Sequence, residues 1–125
     1  MLFFSFGNLA FNCTSGENNI DMLIAAKSRF ATPQEFLADA IRYLDEIVYP
    51  GCNIQADYED ATLKDGQYSE IVEKWISGMD TKVEIKADNI ERIRRVKRAQ
   101  YDPMCDEFLL ETADEYILFL WSTSA

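Results

Sequence analysis

The chain of 125 residues has no histidine, which excludes any Ser-His-Asp or Cys-His catalytic system built from its own side chains. It has five glycines, and none falls in the G-x-G-x-x-G or P-loop spacing that cradles phosphate. Its three cysteines, Cys13, Cys52 and Cys105, lie far apart and form no C-x-x-C pair. A zinc site would need all three thiolates plus a carboxylate, so reduced, buried or half-buried thiols are expected. No apolar run approaches the roughly 20 residues of a membrane-spanning helix. The opening MLFFSFGNLAF lacks a basic leader and is interrupted by Ser5, Gly7 and Asn8. It is therefore expected to belong to the mature protein rather than to a secretory signal, with a cytoplasmic location as the corollary.

Positive charge is also scarce. Twelve Lys and Arg face 22 Asp and Glu, for a net charge of −10. Residues 51–90 carry nine acids against four bases, the largest local surplus. Such a surface repels nucleic-acid phosphates and acidic membranes and attracts basic proteins, although solubility alone is an alternative reason for it. Hydrophobic residues make up 48% of the chain, enough to build a core, and the length suits a single domain over 1–125.

The clearest local signal is ATPQEFLADAIRYLDEIVYPG. Thr32, Pro33 and Glu35 have capping-box spacing, and Phe36, Leu37, Ala40, Ile41, Leu44, Ile47 and Val48 recur at helical intervals until Pro50-Gly51 stops the helix. LFFSFGNLAF predicts a strand or ordered arm, NCTSGENN (12–19) a loop, and IDMLIAAKSRF a second helix. NIQADYEDATLKDGQ reads as an irregular acidic connection, 68–78 as a further helix carrying Trp75, and TKVEIKA as a half-exposed strand. DNIERIRRVKRAQYD has a helix-cap spacing at Asp88 and Glu91. Its Ile90, Ile93 and Val96 drift around a helix, however, and a strand is preferred. EFLLET and EYILFLW then pair as strands across Ala113-Asp114, with the last one central or covered and Trp121 in the core. The expected class is α+β, with two to three N-terminal helices packed on a C-terminal antiparallel sheet of three to five strands.

Chemistry is harder to place. Asp57, Glu59, Asp60 and Asp65 could supply oxygen ligands to a divalent cation, but they lack the calcium-loop spacing and its glycine. No cofactor is expected, and no carboxylate pair is singled out for hydrolysis, so the chain reads as a non-enzyme. The same region fits a recognition surface better. Asp57, Tyr58, Glu59, Asp60, Asp65, Tyr68 and Glu70 combine charge with aromatic anchors, unless the tyrosines simply cover the rim of the core. Arg92, Arg94, Arg95, Lys97 and Arg98 place five cations in seven positions. A nucleic-acid footprint is one reading of them. Pairing with acids on neighbouring strands, such as Glu84, Glu107 and Glu111, is the preferred one.

The ending IKADNIERIRRVKRAQYDPMCDEFLLETADEYILFLWSTSA, about one third of the chain, resembles that of small immunity proteins from bacterial toxin–immunity systems, including contact-dependent growth inhibition. The resemblance lies in the order YDP, CDEFLLET, YILFLW, TSA. It implies a cytoplasmic antitoxin that binds one cognate toxin domain, often a nuclease with a basic surface, and blocks it without catalysis. It transfers no contact residue by position. A small acidic adaptor or secretion chaperone binding a protein client is the alternative expectation.

Overall fold

Along Tyr116–Trp121 successive side chains enter two different buried clusters. Tyr116 and Leu118 join one, while Ile117, Phe119 and Trp121 join the other. This is the two-residue period of a strand whose faces are both covered. The computed structural model describes residues 1–11, 14–68, 70, 73, 76, 89–99 and 105–123, with the backbone alone for 6–11 and 14–18.

Among the described residues, six strands make one antiparallel sheet: β1 (Leu2–Phe11), β2 (Thr14–Ala26), β3 (Thr62–Asp65), β4 (Arg92–Lys97), β5 (Cys105–Glu111) and β6 (Glu115–Thr123). Their order is β1-β2-β6-β5-β4-β3. The opening hairpin and the closing meander therefore meet at β2 and β6, which pair from Asn18↔Thr123 to Ala26↔Glu115. Helix α1 (Pro33–Tyr43) lies on one face, where Phe36, Leu37, Ala40 and Ile41 pack with Leu23, Leu109, Tyr116 and Leu118. On the other face Ile20, Met22, Phe108, Leu110 and Phe119 are covered by Tyr68, Ile90 and the helical residue Ile76. Among the described residues, no helix is long and apolar enough to cross a membrane.

The mixed α+β class and the helix-on-antiparallel-sheet packing agree with expectation. The strand count and the segregation of helices do not, because β1 and β2 come from the N-terminal region and raise the sheet to six strands. The segment 20–30 is not a helix. It continues β2 to Ala26 and ends in a 3-10 turn, Lys27–Arg29. Both faces of β2 are buried, so its apolar residues run on without alternation, and short runs of this kind do not separate strand from helix. The loop expected over 12–19 is likewise strand from Thr14 onward. The strand expected at 82–86, Glu84 and Trp75 lie outside the described residues. The remaining C-terminal reading holds: β4 is a strand, β6 is interior and Trp121 is buried.

At the start of α1, Thr32 Oγ1 accepts from the Glu35 N–H at 3.2 Å, while the Glu35 carboxylate accepts from the Ala31 N–H at 2.9 Å. The helix then widens into a π turn, Leu44–Val48, closed by Tyr49 N–H to Leu44 O at 2.7 Å. The extra residue in that turn breaks the 3.6-residue period. Ile47, expected on the apolar stripe, is instead 62% exposed. Gly51 (φ 87°) and Asn53 (φ 54°) take left-handed conformations, which these two residue types adopt readily. They reverse the chain into the short helix α2 (Ile54–Asp57).

Phe119 is 1% exposed. Phe119→Ala should cost about 3–5 kcal/mol of unfolding free energy and Thr32→Ala about 1 kcal/mol, both read from urea unfolding. A loss at Phe119 no larger than that at Thr32 would contradict burial of β6 on both faces.

Candidate functional site

Residues 43–63 contain five acids, Asp45, Glu46, Asp57, Glu59 and Asp60, and no Lys or Arg. Polar contacts fasten this segment over the α1 side of the sheet. Asp45 Oδ1 accepts from the Ile54 N–H at 2.7 Å, which caps α2 in place of Asn53. The Tyr49 hydroxyl donates to Asp21 Oδ2 on β2 at 2.9 Å. The Tyr58 hydroxyl donates to Glu107 Oε2 on β5. Asp60 Oδ2 accepts from the Ala99 N–H, beyond β4, at 2.6 Å.

Between segment and sheet lies a cleft of about 240 Å³. Its apolar lining comes from Leu44, Ile54 and Leu120, and its polar groups are Asp21, Asp57, Glu107 and Arg98, with Tyr49 and Tyr58 on its walls. An apolar concavity with a few convergent polar groups is the usual form of a binding site. Within it Arg98 lies 4.7 Å from the centre of the Tyr58 ring, and its Nε and one terminal nitrogen meet Glu107 Oε1 at 2.8 and 2.6 Å.

Burial pushes the Glu107 carboxyl up from 4.5 to about 7, and the negative charge of Asp57 adds to the rise. Its Oε1 accepts from Arg98 and its Oε2 from the Tyr58 hydroxyl. By contrast, at Glu111 burial raises the carboxyl, but Lys27 and the Arg94 guanidinium outweigh it and hold the group below its ordinary value.

The basic run is neutralised across strands. Arg92 pairs with Asp65 at 2.8 Å, Arg95 with Asp106 at 3.1 Å, Arg98 with Glu107, and Arg94 with Glu111. The side chains come from both faces of the strand, as expected: Arg94 shares a partner with Lys27, while Arg95 sits over Phe108 of the opposite cluster. The Asp65 carboxyl is drawn below its ordinary value by the Arg92 hydrogen bond.

The seven residues expected to form one recognition surface are divided between two faces. Asp57, Glu59 and Asp60 are exposed together at the end of α2, and Tyr58 between them turns inward. Asp65 stands at the sheet edge, bound to Arg92. Tyr68 packs edge-on against Phe108 on the other face, its hydroxyl buried without a hydrogen-bond partner among the described residues, and Glu70 follows it on the surface. Asp21, Tyr49, Arg98 and Glu107 were not assigned to a binding site by sequence reasoning. Asp21 falls in IDMLIAAKSRF, the segment expected to be a helix, and only the pairing of the arginines with Glu107 gave a signal. Among the described residues, no three Cys, Asp or Glu side chains converge as a metal ion would need; Cys105 is half-buried, whereas Cys52 is exposed, contrary to the expectation of a buried or half-buried thiol. No protein-family model matches the chain, and neither a curated protein nor a solved structure matches it.

Between pH 4.5 and about 7 the folded chain keeps a proton on Glu107 that the unfolded chain has released. Glu107 therefore contributes stability that is full below pH 4.5 and is lost as pH rises through about 7. Glu107→Gln should flatten that part of the pH profile of the urea midpoint. An unchanged slope would show that Glu107 is ionised throughout.

Proposed function

We propose that the chain is an immunity-type protein that binds a cognate toxin domain with a basic surface, of the nuclease kind, and masks it. The observation that carries this reading is the way charge is sorted. All four arginines of 92–98 are spent on carboxylates of β3 and β5, so they do not offset the surplus negative charge of the 43–63 segment. That segment also exposes Ile47 and Tyr49, an apolar and an aromatic contact beside the acids. A nuclease must present cations to hold phosphate. An acidic protein can use the same attraction to reach the site quickly, with buried apolar and aromatic contacts slowing its release. The resemblance of residues 85–125 to immunity proteins points the same way. Under this reading the protein works in the cytoplasm, catalyses nothing, and contacts its partner through Asp57, Glu59 and Asp60, whereas Tyr68, on the far face, lies away from that contact.

Co-expression with the toxin domain encoded beside it should restore growth and yield a stable complex. Replacing Asp57, Glu59 and Asp60 together with Lys should slow association by at least about tenfold at low salt, with the difference shrinking as salt rises past physiological strength. Growth that is not restored, with no complex formed, would defeat the reading. A complex without protection would favour the adaptor.

A further inference from the structure

An acidic surface attracts any cation, but the cleft beneath residues 44–58 already holds one guanidinium. Arg98 lies over the Tyr58 ring, and the carboxylate that binds it, Glu107, is also the acceptor of the Tyr58 hydroxyl. Ring, carboxylate and guanidinium thus form a closed unit.

The same cleft contains a second tyrosine–carboxylate pair. Tyr49 donates its hydroxyl to Asp21 Oδ2 at 2.9 Å, and Ser5 Oγ donates to Asp21 Oδ1 at 2.7 Å. Both donors are neutral. No cation among the described residues pairs with Asp21, in a chain whose other sheet carboxylates on β5 are bound by arginine. Tyr49 is 36% exposed, with Phe3 edge-on to it at 6.5 Å. Asp57, at the cleft margin, is exposed and has no ion pair among the described residues. One half of the cleft is therefore a filled guanidinium site, and the other half has its aromatic ring and its carboxylate but no guanidinium.

We propose that the Tyr49–Asp21 half of the cleft seats an arginine side chain of the partner protein, bound as the chain binds its own Arg98. This assignment rests on the reading of the chain as a binder of a basic protein. Arginine fits better than lysine because a planar guanidinium can lie on a ring while its edge hydrogen-bonds to a carboxylate, which a point-like ammonium cannot do. Asp57 adds field at the mouth, and the apolar lining from Leu44, Ile54 and Leu120 takes the aliphatic stem.

The probe is N-acetyl-argininamide, titrated into the isotope-labelled full chain and followed by NMR, with the corresponding lysine and glutamine amides in parallel. The arginine compound should shift resonances of Asp21, Tyr49 and Leu120 saturably, and bind at least several-fold more tightly than the lysine compound. The glutamine compound should leave those resonances in place. Asp21→Asn should weaken arginine binding about tenfold, the loss expected with one charge-assisted hydrogen bond. Glu91→Gln, which removes an equal charge elsewhere, should not. Absence of saturable shifts in the native chain, equal binding of all three amides, or an equal loss in the Glu91 variant would overturn the assignment, and the first two need no variant to fold. The two levels separate cleanly. A D21N chain that protects cells and binds its toxin with native affinity removes the cleft assignment and leaves the immunity reading. An arginine-binding chain that protects against no toxin does the reverse.

Discussion

The six side chains from Tyr116 to Trp121 must be kept from water on two sides at once, and the rest of the architecture follows from that demand. A strand can be dry on both faces only in the interior of a sheet with a layer on each side. β6 meets the first condition by lying between β2 and β5. It meets the second through α1 on one face and Tyr68 and Ile76 on the other. Each fully buried large apolar side chain contributes roughly 1.5–3 kcal/mol before chain entropy is set against it, so the β2–β6–β5 centre dominates the folding energy. The amphipathic α1 is the natural cover for one face. The chain beyond β3 must then cross to the other face, which is why Tyr58 and Tyr68, ten residues apart, end on opposite sides of the sheet.

β4, outside that centre, is held by charge as well, with Arg92 opposite Glu111 and Arg95 opposite Phe108 on β5. The ion pairs run diagonally to Asp65, Asp106, Glu107 and Glu111. Exposed pairs such as Arg92–Asp65 contribute little to stability. Arg94 and Glu111, at 10% and 13% side-chain exposure, depend on each other more, since a buried charge stripped of its partner is costly. The functional consequence is greater than the energetic one: the arginines of 92–98 are engaged by carboxylates, while residues 43–63 carry five acids and no Lys or Arg.

Strong local signals were legible in the sequence, and signals that depend on the sheet were not. Thr32, Pro33 and Glu35 announce α1 because capping is local chemistry. The drift of Ile90, Ile93 and Val96 around a helix and the turn at Ala113-Asp114 point to the meander on equally local grounds. β2 was misread because Ile20–Ala26 is apolar on both faces, a property of its neighbours and not of its own period. Ile47 was misplaced because one extra residue in a π turn leaves no mark in the pattern of apolar spacing. The acidic segment was visible as composition. Asp21 and Glu107 are 86 positions apart and come to one cleft only through the pairing of β2 with β6 and of β6 with β5. No spacing rule could have joined them.

The manner in which the 44–60 segment is fastened explains why a cleft exists at all. An apolar segment over an apolar sheet would collapse until its side chains interlocked and the space closed. Here the ties to β2 and β5 are made by tyrosine hydroxyls, to Asp21 and to Glu107. A tyrosine anchored at its hydroxyl is a rigid strut with its polar end fixed and its ring upright. Two such struts rest on neighbouring parts of the sheet, with Asp45 pinning the turn between them to α2, and they hold the segment at a set height. Shortening either by Tyr→Leu would remove a tie and a wall together, so closure and loss of the rim would follow from one change. A rim held in this way has little freedom to lose when a partner arrives, and the smaller the ordering cost, the more of the contact energy appears as affinity. The polar ties contribute modestly to stability compared with burial of the same area. Their effect is to keep open a concave, negatively charged surface that hydrophobic packing would have closed.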